Sequence, residues 1–121
     1  MAAVAALYAM LPTGNMPPER REEELQRLTN MSVDGYIGAW GALETWQGSV
    51  GRVHAIRVPT LVIYGENDGS FLVDAAHELA AEIPEAVLEM VAGAGHSPQY
   101  ECPEIFNAAL RRHLGRNAGS R

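Results

Sequence analysis

The stretch VPTLVIYGENDGSF, residues 58–71, decides how the chain folds. Thr60 to Tyr64 is an unbroken β-branched and apolar run between Pro59 and Gly65, which is how a strand covered on both faces and lying inside a sheet reads. Downstream, FLVDAAHELAAEI places Leu72, Ala76, Leu79 and Ile83 on one helical stripe and is closed by Pro84. Ala86 to Val91 reads as a second strand. PEIFNAALRRHLG, opened by Pro103 and stopped by Gly115, reads as a last helix, with RNAGSR as a frayed tail. A strand, a helix and a strand of these lengths require a parallel crossover, so the sheet belongs to the α/β class.

Upstream of residue 56 the pattern is helical. Ala2 to Leu11 is one apolar segment; Pro17-Pro18 opens a second, ERREEELQRLTNM; and SVDGYIGAWGALETW is a third. Proline at a first turn followed by acidic residues suits a helix N-terminus, through its fixed φ and through the macrodipole. Leu25, Leu28 and Met31 recur at helical spacing, as do Tyr36, Trp40 and Leu43. Packing against a core is the plain reading of those aromatics, and contact with a ligand is the other. The opening MAAVAALYAML lacks a basic leader and is too short to span a bilayer, so no membrane segment is expected.

At 121 residues, 47% hydrophobic and 20% charged, the composition is that of a globular domain. A formal net charge of -6 with no basic run argues against nucleic-acid or anionic-membrane partners, because nothing would release counterions from phosphates. The pairs Arg20-Arg21 and Arg111-Arg112 read as solvated helix faces. Cys102 is the only cysteine, so no internal disulfide forms; no Cys/His cluster has zinc-ligand spacing, and a reducing, cytoplasmic location is expected.

Two residues carry usable chemistry. In parallel α/β sheets, catalytic groups collect beyond the carboxyl ends of strands, and Asp68 and His96, the latter within VAGAGHSPQYECPE (residues 91–104), both fall there. A carboxylate accepting the Nδ1 proton of an imidazole fixes its tautomer and leaves Nε2 free to take a proton from a nucleophile. Each residue alone has a simpler reading: Asp68 or Ser70 caps the helix starting near Phe71, and His96 is a surface residue.

From Ile56 to Leu114, the ordered series I-x-V-P-T-L-V-I-Y-G-E-N-D, I-P-E-A-V-L-E-M-V-A-G-A-G-H-S-P and E-C-P-E-I-F-N-A-A-L-R-R-H-L closely resembles the C-terminal end of α/β-hydrolase fold enzymes. Residues 17–50 resemble the end of the helical lid that many members carry. The resemblance implies a division into a lid portion over residues 1–55, a hydrolase core over 56–116 and a disordered tail over 117–121. It implies Asp68 as the triad acid and His96 as the base, in the family order of nucleophile, acid, histidine. Tyr36 and Trp40, with Trp46, become candidates for a partly apolar substrate pocket, no cofactor is implied, and the expected partner is a small-molecule substrate.

The nucleophile elbow G-x-S-x-G and the HGGG-type oxyanion loop do not occur in the sequence. Ser49 sits in GSVG with the wrong spacing and after a helix, Ser97 adjoins the base itself, and Cys102 before Pro103 reads as a helix-entry residue. The expectation is therefore the C-terminal portion of a longer esterase-like hydrolase, with Met1 an internal methionine and the nucleophile outside this chain. Relatives with an aspartate nucleophile, such as epoxide hydrolases and haloalkane dehalogenases, remain open. So does a non-catalytic binding module whose sheet another chain completes.

Overall fold

A computed structural model describes residues 14–49 and 51–118, which fall into two compact units, one of residues 17–49 and the other of residues 14–16 and 51–118. The helix expected over Ala2 to Leu11 lies outside the described residues.

The first unit is a pair of helices, α1 (Pro18–Asn30) and α2 (Val33–Thr45). Pro18 and Glu19 occupy the first turn of α1, where a missing N–H costs nothing and a negative charge meets the positive end of the dipole. Ser32 caps α2, its Oγ accepting a hydrogen bond from Gly35 N at 3.0 Å. Ser32→Ala should cost about 1 kcal/mol through the orphaned amide, read as a loss of helical circular dichroism in a thermal melt. Neither helix contains a buried residue, and Trp40 is 52% exposed. Among the described residues of this unit Trp40 and Leu43 stay exposed, since the two short helices alone do not enclose an apolar stripe.

The second unit begins with a 3₁₀ turn (Val53–Ala55) and continues through β1 (Leu61–Gly65), α3 (Ser70–Glu82), β2 (Val87–Val91), α4 (Pro98–Glu101) and α5 (Pro103–Ala118). The strands pair in parallel with Leu61 opposite Val87 and Gly65 opposite Val91, as the crossover requires. Register places Tyr64 and Met90 on one face, Ile63 and Glu89 on the other. Tyr64 Oη lies 3.2 Å from His77 Nε2 of α3, whereas Glu89 pairs with Arg112 of α5, so the two helices flank opposite faces of the sheet. Ala76, Ile83, Val91, Ala94 and Ala109 form the buried centre, joined by Val53 and Met16.

Three local readings are corrected. Leu61 to Tyr64 are half-buried rather than covered, since among the described residues the sheet has two strands and β1 forms one of its edges. Gly115 does not stop the last helix, which runs to Ala118; a glycine there costs about 1 kcal/mol relative to alanine but does not force the chain out of the helical region. The cap of α3 is Gly69 with no side-chain hydrogen bond, which frees the Asp68 carboxylate from the capping role. The I-P-E-A turn between α3 and β2 holds Glu85 at φ 59°, an uncommon conformation for a residue other than glycine.

Candidate active site

The loop after β1 and the loop after β2 are stitched together by main-chain bonds that prolong the sheet beyond its strands. Glu66 N donates to Val91 O at 3.1 Å and Asn67 N to Ala94 O at 2.8 Å, while Gly93 N donates to the Glu66 carboxylate at 2.8 Å. The approach is closest at Gly65, where a Cβ would fall 2.0 Å from Gly95 O and 2.6 Å from Ala94 O. Only a residue without a side chain admits the second loop to this distance. Gly93, at φ +74°, supplies the left-handed turn that brings the chain back over it.

This stitching brings Asp68 and His96 together across 28 positions of sequence. His96 Nδ1 lies 3.1 Å from Asp68 Oδ1 and 3.2 Å from Oδ2, and Oδ1 also accepts from Gly69 N at 2.7 Å. An ionised carboxylate only accepts, so Nδ1 carries the proton and Nε2 has the free lone pair. The Asp68 side chain is 11% exposed and that of His96 46%, so the carboxylate is sheltered and the imidazole is accessible from solvent. Removal of water from the carboxylate strengthens its hold on an imidazolium.

The histidine loop has a second anchor, one that the sequence reading passed over. Glu101, 7% exposed, receives the amides on both sides of His96: Gly95 N at 2.9 Å on Oε2 and Ser97 N at 2.9 Å on Oε1. Asn15 N adds a third bond to Oε2 at 3.3 Å, and Asn15 Nδ2 donates to Gly93 O at 3.1 Å. The available signal was S-P-x-x-E, residues 97–101, which is a capping-box spacing lengthened by one residue.

The other candidates are placed as follows. Tyr36 and Trp40 lie on α2 in the first unit and meet each other edge to face, with ring centroids 6.2 Å apart. Ser97 is the N-cap of α4, and Cys102 is half-buried with Sγ 3.7 Å from Ala92 O. Among the described residues no group of three or more His, Cys, Asp or Glu side chains could hold a metal ion, and no helix is long and apolar enough to cross a membrane.

Parts of the chain are similar to known proteins. No family model matches the chain. Over 56 residues it is 39% identical to 2-hydroxy-6-oxononadienedioate/2-hydroxy-6-oxononatrienedioate hydrolase 2 of Pseudomonas putida, a match covering 46% of this chain and 20% of that protein. The structure of a thermophilic esterase from Thermogutta terrifontis superposes with a TM-score of 0.53 at 31% identity, covering 56% of this chain and 25% of the esterase. In its matched segments the chain is similar to hydrolases of the α/β-hydrolase superfamily. Epoxide hydrolase 1 of Caenorhabditis elegans is 28% identical over 61 residues, which is 50% of this chain and 15% of that enzyme. The matched segments thus span a quarter or less of these α/β-hydrolase relatives, and all three relatives are hydrolases.

Proposed function

We propose that Asp68 and His96 are the acid and the base of a nucleophile-His-Asp hydrolase acting on small esters, lactones or related substrates, with the nucleophile supplied from outside these 121 residues. The observation that carries this reading is the Asp68 carboxylate set against His96 Nδ1. In the acylation step the nucleophile's oxygen bonds to the substrate carbonyl carbon while His96 Nε2 takes its proton. Collapse of the tetrahedral adduct breaks the bond to the leaving group, which receives that proton, and a water molecule repeats the cycle to release the acid. Asp68 stays ionised throughout and stabilises the imidazolium. Tyr36 and Trp40 are proposed on the substrate side, where the exposed Trp40 and half-buried Tyr36 suit an apolar acyl or alkyl group.

Half-buried strands and exposed Val58, Phe71 and Met90 support the view that more sheet belongs here, whether from the same polypeptide or from another chain. One unpaired cysteine supports a cytoplasmic setting. A second reading, with an aspartate nucleophile and an epoxide substrate, is favoured by the similarity to the Caenorhabditis elegans epoxide hydrolase.

The coding frame upstream of Met1, read over about a hundred and fifty codons, tests the proposal. A strand followed by G-x-S-x-G supports the esterase-type reading and G-x-D-x-G the epoxide reading; a stop codon close to Met1 overturns both and leaves a non-catalytic pairing module. In an active assembly, Cys102→Ala should leave the hydrolysis of short p-nitrophenyl esters unchanged, and a large loss would make Cys102 part of the chemistry.

A further inference from the structure

We infer that Glu101 is a positioning residue for His96, acting through the two peptide amides that flank the imidazole rather than through contact with a reactant. The inference rests on the reading of His96 as the base. A carboxylate buried to this degree is costly unless its lone pairs are filled, and here each oxygen is engaged: Oε1 by Ser97 N, Oε2 by Gly95 N and Asn15 N. Both flanking amides are held by one rigid group, so the Cα of His96 is fixed between two points.

Local structure explains why a residue five positions downstream reaches them. Ser97 O starts the single turn α4, accepting from Tyr100 N at 2.9 Å and from Glu101 N at 3.0 Å. Helical side chains lean toward the N-terminus, so the Glu101 carboxylate swings back over the start of its own turn and meets the Ser97 amide, as a capping-box glutamate does. Pro98 at the first helical position has no N–H to compete for it. Carboxylate Asp68 then sets the ring's tautomer, and Glu101 sets where the ring stands. The third donor, Asn15, ties residues 14–16 to the same anchor, since its side chain also holds Gly93 O at the start of the loop.

The test uses the 121-residue chain as it stands, by nitrogen-15 NMR of the histidine side chains and by amide hydrogen exchange, so that it does not depend on a nucleophile. In the unaltered chain His96 should show the Nδ1–H tautomer; an Nε2–H form would overturn the assignment of His96 and Asp68 itself. Given that result, Glu101→Ala should speed exchange at Gly95 and Ser97 about tenfold or more each, while strand amides such as Ile63 keep their protection. It should also return the imidazole of His96 toward the mixture of tautomers seen in a free peptide. Protection and tautomer both unchanged in the folded variant would overturn the role of Glu101 and leave the Asp68–His96 pair intact.

Should Glu101→Ala fail to fold, Glu101→Gln answers the same question, because it keeps one acceptor oxygen and turns the other into a donor facing an N–H. Expected is fast exchange at one of Gly95 and Ser97 with a partial change of tautomer; slow exchange at both would again overturn the inference.

Discussion

Asp68→Asn, placed in an assembly that supplies the nucleophile, should lower kcat by about 10⁴-fold with little change in KM, the size of effect known for the corresponding change in serine proteases. The cause is a reversal of hydrogen-bond sense. Both carboxylate oxygens lie within 3.2 Å of His96 Nδ1, and an amide there has one oxygen and one NH₂ to offer. Because Gly69 N donates to Oδ1 at 2.7 Å, the amide oxygen is drawn to that position and shared with the Gly69 amide, and its NH₂ takes the Oδ2 position, 3.2 Å from Nδ1. An NH₂ facing Nδ1 favours the tautomer with the proton on Nε2, which cannot accept from a nucleophile. His96→Ala should be at least as damaging, and the two changes together little worse than either, since such residues act as a unit. The comparison is made by steady-state ester hydrolysis with circular dichroism as a control for folding. A loss under tenfold for Asp68→Asn in a folded protein would mean that another acid serves His96.

Gly65→Ala should unfold or rearrange the second unit by more than its size suggests. The added methyl would lie 2.0 Å from Gly95 O and 2.6 Å from Ala94 O, both main-chain atoms with no rotamer into which to retreat. Overpacking of this kind typically costs about 1–3 kcal/mol and sometimes more. Relief requires the histidine loop to move away, which also stretches the Asn67 N to Ala94 O bond and separates Asp68 from His96. Urea unfolding followed by circular dichroism should show a lower midpoint, and the His96 side-chain nitrogen signals should move. An unchanged midpoint with unchanged His96 signals would show that the loops are not held in this close approach.

Much of the second unit was legible because its signals are local. The apolar run at Thr60 to Tyr64, the stripe through Leu72, Ala76, Leu79 and Ile83, and the run to Val91 specify strand, helix and strand with a parallel crossover, and each occurs within a residue or two of its expected place. Errors fell where a local rule is permissive. Gly115 permits a stop without compelling one, and the helix continues through Ala118. Burial of β1 was overestimated because an apolar run reports what a strand needs, and cover on both faces depends on neighbours that the two strands found among the described residues do not supply.

Composition and order along the chain by themselves determined the α/β class, the two strands and the helices α1, α2, α3 and α5, and singled out Asp68 and His96 as candidates, since periodicity, turn residues and side-chain type act over a few positions. Only the tertiary structure decided that the carboxylate turns toward the imidazole instead of capping α3, that Gly65 is required for space and not for its φ, and that Glu101 anchors the loop carrying His96. Those outcomes depend on hydrogen bonds and close contacts between segments distant in sequence, such as Asp68 with His96 and Asn15 with Glu101, and their partners are chosen when the parallel register of β1 and β2 brings the two loops side by side.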